Sequence, residues 1–257
     1  MSATVSALHV APVKGLALVA REEIDLERHG VTDNRRFHLV DEDGRRYGLL
    51  HDGRLALVVP EYDGERLTLR FPDGSVVGGD VALDGEVTTV FYGGRPVAGS
   101  AVVGPWSDAL SEYVERKLTL VKAAPGAAVD RGHVGAVSLV SEASLAELGR
   151  HAGVDRVDGR RFRMLVHVAG VRAHGEDEWL GRNVRIGEAV VRLREQVARC
   201  AITTRNPETG ERDLDTLRVI KRYRGVRDEK LLDFGVYGDV VEPGRVRVGD
   251  VVEPLEP

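Results

Sequence analysis

Cysteine is almost missing from this chain: Cys200 is the only one in 257 residues. That excludes an internal disulfide, a four-cysteine metal site, and an iron–sulfur cluster held by this chain alone. A strong excess of positive charge is missing too. The formal balance of −5 argues against a surface designed around nucleic-acid phosphates, so no nucleic-acid partner is expected. No apolar run approaches the roughly 20 residues that cross a bilayer. The first residues carry no basic stretch ahead of their apolar positions, which Pro12 and Lys14 interrupt, so neither a leader nor a membrane partner is expected. The expected compartment is the cytoplasm, whose reducing conditions suit a lone thiol. Several common chemistries are absent as well. The chain has no GxGxxG turn, no GxxxxGK[ST] phosphate loop, no HExxH and no GxSxG elbow. His167 and His174 have no carboxylate at a spacing that suggests a zinc site.

What is present reads as an ordinary globular protein, mostly β. The first hundred residues are short apolar and β-branched runs separated by turn signals. Runs are expected at 4–10, 37–40, 55–59, 66–71 and 87–92. Asp43-Gly44, Asp63-Gly64, Pro72-Asp73-Gly74 and Asp84-Gly85 stand between them. That spacing predicts a barrel or sandwich, not a βαβ array. A helix is expected after Ser107 as N-cap, with Leu110, Tyr113, Val114 and Leu118 at helical spacing. A second is expected after Ser141, with Leu145 and Leu148 buried and Gly149 or Gly153 as its stop. A third covers 214–223. Strands return at 164–169, 184–186 and 189–193, then in a run carrying Cys200, and a closing strand is expected at 246–252. The stretch 123–132, rich in Ala, Gly and Pro, is the expected boundary between a strand-rich domain at 1–122 and a second domain at 123–257.

Two kinds of residue carry the candidate chemistry. Cys200 precedes Thr203-Thr204-Arg205-Asn206-Pro207-Glu208-Thr209-Gly210, a turn with turn-forming chemistry along its length. A thiol at that point is either a small buried hydrophobe or a working thiolate held beside a loop mouth. Basic residues stand at the expected strand ends: Lys14, Arg36 before the run at 37, and Arg163 before the run at 164. Arginine captures phosphate bidentately and lysine acts as a point charge. If the three converge they make an anion pocket, and if they do not they are surface cations. The cluster of Lys221, Arg222, Arg224 and Arg227 reads as a solvated helix face.

Taken in order, several segments resemble the MOSC superfamily, named for the C-terminal domain of molybdenum cofactor sulfurase. They are Ala11-Pro12-Val13-Lys14-Gly15, Ser141-Glu142-Ala143-Ser144-Leu145, Arg161-Phe162-Arg163, the stretch from Arg199-Cys200 to Gly210, Leu214-Asp215-Thr216-Leu217 and Phe234-Gly235-Val236-Tyr237. The resemblance is to the two-domain branch that includes the mitochondrial amidoxime-reducing component and its bacterial relatives. It implies an α+β, mostly β fold, with a strand-rich N-terminal domain packed on a MOSC β-barrel and a molybdenum cofactor (molybdopterin) between them. Cys200 is the implied molybdenum ligand. Lys14, Arg36 and Arg163 are the implied grip on phosphate and pterin. Gly15, Ala198, Arg199, Tyr237 and the loop at His133 are implied to lie against the cofactor. Gly15 replaces a hydroxyl residue of the amidoxime reducers, Leu165 replaces an asparagine, and the loop around His133 lacks their hydroxyl residues. The implied activity is reduction of small N-hydroxylated compounds, with electrons from a separate donor protein of the ferredoxin or flavin-reductase type. Two alternatives stand beside it: a cofactor carrier without turnover, and sulfur transfer through a Cys200 persulfide.

Overall fold

Alternation at the amino terminus decides where the chain begins its sheet. In the strand Ala3–Val10 the residues Val5, Leu8 and Val10 are buried. A register shift between Val5 and Ala7 accounts for their uneven spacing. The computed structural model describes residues 2–125, 129 and 136–256. In it this strand pairs with Val166–Ala169 on one side and with Val251–Pro254 on the other. From Val166–Ala169 the order continues through Val137–Ser141, Asp233–Glu242, Ala189–Ala198 and Asn183–Ile186 to Val251–Pro254, closing a seven-stranded barrel. Val137–Ser141 and Val166–Ala169 run parallel. Such a pair needs a crossover, and the helix Glu142–Ala152 supplies it. The barrel is filled by Leu139, Val166, Val168, Val184, Ile186, Val191, Leu193 and Val236, all fully buried. Closure leaves no edge open between those strands.

Between residues 37 and 123 the chain builds a second core. Strands Ala82–Val90, Pro96–Val103, Leu118–Ala123, Phe37–Asp41 and Arg46–Tyr47 form one sheet, and Val59–Tyr62, Arg66–Arg70 and Val76–Asp80 form another. Their apolar faces meet the helix Trp106–Val114 around Phe37, Leu39, Leu55, Leu67, Leu69, Leu110 and Leu120. The indole of Trp106 is buried without penalty because its Nε1 donates to the Leu67 carbonyl at 3.1 Å. The expected α+β, mostly β class is what the chain adopts. The N-terminal strands are shared, however. Ala3–Val10 and Val19–Arg21 belong to the barrel sheet, and Glu23–Glu27 pairs with Gly244–Arg247. The first strands of the chain are therefore tied to its last ones.

Local readings fare unevenly. Ser141 caps its helix by accepting from Ser144 N at 3.1 Å, and Gly153 ends it in the left-handed conformation. Asp215 caps Thr216–Arg224 by accepting from Arg218 N. Ser107 does not cap. It is the second residue of its helix, and its Oγ accepts instead from Leu120 N at 3.0 Å. Leu118, expected on that helix, opens the next strand. The run at 55–59 is not a strand, because Asp52 caps a 3-10 turn at Gly53–Leu57 by accepting from Arg54 N. Strand Val59–Tyr62 starts only after it. The closing run divides into Gly244–Arg247 and Val251–Pro254, which lie in different sheets, with Gly249 at φ +94 in the turn between them.

Candidate functional site

The strand Ala189–Ala198 carries the chain to its only thiol. Its pairing with Asp233–Glu242 shifts register at three places, the last between Gln196 and Ala198. Bulges of this kind re-aim a strand's end. The expected cysteine strand therefore stops at Ala198, and Cys200 lies beyond it as the residue that caps the 3-10 turn Ala201–Thr204. The local hydrogen bonds fix its backbone. Arg199 N donates to Leu232 O at 2.7 Å. The Cys200 carbonyl accepts from Thr203 N at 3.2 Å and from Thr203 Oγ1 at 3.1 Å. The hydroxyl hydrogen of Thr203 is thereby used, so Thr216 must donate in the buried 2.6 Å contact between the two threonines. The turn thus rests on the start of the helix Thr216–Arg224. Cys200 itself is exposed, which removes inert packing as its role.

Its neighbour Arg199 braces the wall. It donates through Nε to Phe234 O at 2.7 Å, through Nη1 to Phe162 O at 2.9 Å and through Nη2 to Met164 Sδ at 2.8 Å. Two segments, the loop at 162–164 and the strand at Phe234, are thereby held beside Cys200 by one guanidinium. Arg163 is reached differently from the expectation. It does not open a strand; it follows the 3-10 turn Gly159–Phe162 in the left-handed conformation, at φ +54. Its Nη2 donates to Leu16 O at 2.7 Å, and its own carbonyl accepts from Arg35 Nη2 at 2.9 Å. Both bonds reach N-terminal backbone or side chain, so this loop is sewn to residues 16–35.

Lys14, Gly15, Arg36, Arg163, Ala198, Arg199, Cys200 and Tyr237 all line one cavity of about 750 Å³. His133 lies outside the described residues. Lys14 is placed there by its N–H, which donates to Phe37 O at 2.8 Å, and its Nζ stands 5.8 Å from the ring centroid of Tyr92. Tyr237 comes from the strand Asp233–Glu242 and donates its hydroxyl to Glu195. Sequence reasoning missed Arg35, Arg46 and Arg161, which line the same cavity, and the aromatic rim of Tyr47, His51 and Tyr92. Tyr47 stacks on His51 at 4.8 Å, and Arg46 lies over Tyr92 at 4.2 Å. Burial and nearby Asp52 raise the Tyr47 phenol above its usual range, so it faces the cavity protonated. Leu165, noted as a departure from the resembled family, does not face the cavity. It is buried in the barrel core at 3% exposure.

The electrostatic balance of this wall is one-sided. Among the described residues, Lys14, Arg35, Arg36, Arg46, Arg161, Arg163 and Arg199 are seven cations, against the single carboxylate of Glu27. A concave, partly desolvated surface of one sign focuses its field on an anion. Arg161 adds a second sign of an incomplete environment. It is only 8% exposed, Nη2 is satisfied by Asp213, and Nη1 donates to Thr204 O, yet its buried Nε has no partner. Buried donors are rarely left so.

Comparison with known proteins gives these features a lineage. Residues 127–253 match the family described as the MOSC domain, and residues 2–97 match the MOSC N-terminal beta barrel domain. The chain is similar to mitochondrial amidoxime-reducing component 1 of Xenopus laevis, at 26% identity over 96% of this chain and 81% of that protein. The protein of the same name from Mus musculus is 34% identical over 44% of this chain and 35% of its own length. Molybdenum cofactor sulfurase of Caenorhabditis elegans is 23% identical over 92% of this chain, which spans only 33% of that relative.

Proposed function

The chain belongs to the MOSC family in its two-domain form, and from that premise we propose that it holds molybdenum cofactor in the cavity and reduces N-hydroxylated compounds there. The observation that carries the reading is the convergence of an exposed thiol and seven cations on one cavity of about 750 Å³. The residues suit the group. A soft thiolate is an apt ligand for a metal already bound by sulfur. The cationic wall suits the pterin's phosphate, and the volume suits a pterin with a small substrate beside it. In this reading Cys200 is the metal ligand. Lys14, Arg36 and Arg163 grip phosphate and pterin, while Tyr237 and the backbone at Ala198 and Arg199 lie against the ring system. When bound, the cofactor supplies a two-electron redox centre. The substrate takes up two electrons and two protons, and the N–OH group becomes N–H with release of water. The protein's part is orientation: the Thr203–Thr216 contact fixes the thiol's backbone, and Arg199 keeps the wall from opening.

In this reading the electrons come from a separate ferredoxin- or flavin-type partner, since the single cysteine of these 257 residues cannot hold an iron–sulfur cluster. Among the described residues no helix is long and apolar enough to cross a membrane, and we place this chemistry in the cytoplasm. The exposure of Cys200 also favours a second reading, a persulfide carried on that sulfur. Native mass separates the two, since a one-sulfur adduct marks the persulfide and a pterin-sized adduct marks cofactor binding, after which turnover with a chemical donor separates a reductase from a cofactor carrier. The direct test is molybdenum analysis and pterin fluorescence on protein made in a host that synthesises the cofactor. Both are expected in proportion to the chain, and a preparation with neither would sink the proposal.

Arg163→Ala is expected to weaken cofactor retention more than folding. One bidentate phosphate contact is worth roughly 1.5–3 kcal/mol, or about one to two decades in affinity. The lost bond to Leu16 O costs about 1 kcal/mol of stability. Pterin remaining after dialysis, compared with the melting temperatures of variant and parent, separates the two effects. Equal retention would show that the phosphate is gripped elsewhere.

A further inference from the structure

Beside the large cavity lies a smaller recess of about 40 Å³ that shares Leu49, Arg161, Arg163 and Ile202 with it. Arg160 and Arg205 complete its basic lining. That volume holds roughly three water-sized groups, enough for the head of an oxyanion and too little for a ring. The four arginines are not equivalent. Arg160 is held by Asp158 and by Glu208 at 2.7 Å, and Arg161 by Asp213 at 2.7 Å. Arg163 is tied to Leu16 O. Among the described residues Arg205 has no carboxylate within 4 Å, and it uses Nη1 on the carbonyl of Gly210 at 2.8 Å. Its Nε is buried and unpartnered, as is the Nε of Arg161. Burial and the neighbouring Arg212 together lower the Arg205 pKa. Asp52 and Glu211 act on Arg205 only at longer range. A half-buried guanidinium with no carboxylate in contact, next to a second with an orphaned donor, is a site short of an anion.

The fold takes trouble to put Arg205 there. A Cβ on Gly53 would stand 2.0 Å from Gly210 O and 2.2 Å from Arg205 Nη1, and one on Gly210 would stand 2.4 Å from Gly53 O. Glycine at both positions lets the 206–210 turn lie directly on the 3-10 turn at Gly53–Leu57. The guanidinium is thereby fixed between the two.

We propose that this recess is an oxyanion subsite for the substrate, so that the reductase described above prefers N-hydroxylated compounds that carry a carboxylate or similar anion on the side away from the N–OH group. The inference rests on that functional reading for the N–OH end and on the recess for the anionic end. The same oxyanion chemistry could come from the cofactor's phosphate, and the experiment separates the two sources.

The probes are benzamidoxime and its 4-carboxylate, first as equilibrium binding to the oxidised cofactor-loaded protein with no electron donor present. The carboxylate is expected to bind about tenfold more tightly or better, the size of one charge-assisted contact. Arg205→Gln is expected to bring the ratio close to one while pterin content stays at the parent's level. Arg205→Lys, which keeps the charge and loses the fork, is expected to fall between them. Equal binding of the two probes by the parent overturns the subsite. So does a preference that survives Arg205→Gln, which would assign it to the general field of the cavity. Loss of pterin in Arg205→Gln with the ratio unchanged would give the recess to the cofactor's phosphate instead. Turnover is then read with a chemical donor. A protein that discriminates between the probes but reduces neither overturns the reductase reading and leaves the subsite standing.

Discussion

Cys200→Ser is expected to abolish reduction of N-hydroxylated compounds while leaving the fold and the pterin content close to the parent's. The structural half of that expectation follows from exposure: the Cys200 side chain is in solvent-accessible space, and the local backbone is fixed by its carbonyl, not by its sulfur. Exchanging sulfur for oxygen there should change stability by no more than about 0.5 kcal/mol, as for surface positions generally. The chemical half follows from ligand character, since an alkoxide is a harder donor than a thiolate and is scarcely formed at neutral pH. Changing a residue that merely supports a metal ligand typically costs 10–100-fold in affinity or activity. Changing the ligand itself should cost more than that. Turnover with a chemical electron donor, melting temperature and pterin fluorescence on the same preparations make the measurement. Full activity in the serine variant would show that the thiolate ligates nothing. Loss of activity together with loss of pterin would mean that the sulfur anchors the cofactor instead of tuning it.

How far the sequence led to this site depended on whether a signal was local. Ser141 was legible because its capping partner is Ser144, three residues on. Ser107 was not, because its oxygen goes to Leu120, thirteen residues away and on a strand formed only in the folded chain. Turn spacing announced a barrel or sandwich in the first hundred residues, while the closed barrel, built mostly from residues 137–254, was expected from the family resemblance. The sharing of Ala3–Val10 and Glu23–Glu27 with the C-terminal strands could not be expected, since those pairings span most of the chain. Lys14, Arg36 and Arg163 were singled out at expected strand ends and given a role by family resemblance, and only tertiary structure brings them to one cavity. Arg161 stood two residues from Arg163 and was passed over. Its distinction is burial against Asp213, fifty-two residues later, which no spacing announces. Leu165 shows the reverse error: a position singled out against the family pattern turns out to face the barrel core.

Acid is expected to weaken this fold from pH 6.5 downward, well before its carboxylates protonate, because two histidines are held neutral. His9 and His174 each have a pKa lowered to about 4. For His9 the cause is first burial and then the neighbouring His167, whose ring lies 4.9 Å away, with Arg160 adding to it. For His174 it is burial and then Arg224, in a pocket where His174 meets the hydroxyl of Tyr223 at 3.1 Å and the edge of Phe234. The sign follows from proton uptake. Above pH 6.5 both histidines are neutral in the folded and the unfolded chain, and they contribute no slope. Between 6.5 and about 4 the unfolded chain binds protons that the native state refuses, so stability falls as pH falls. The slope is about 1.4 kcal/mol per pH unit for each histidine, and partial exposure discounts the total to about 2–3 kcal/mol each. Glu142, held low first by its hydrogen bond from His167, adds its own loss only at lower pH. The effect reaches the functional site, since the Phe234 that packs on His174 also accepts from Arg199 beside Cys200. Urea midpoints at pH 7 and pH 4.5 for the parent, His9→Gln and His174→Gln test this. The parent should lose several kcal/mol across that range, and each glutamine variant, whose side chain cannot titrate, should lose less. A parent whose midpoint is flat between the two pH values would mean that these histidines accept protons in the native state, and burial would not be holding them neutral.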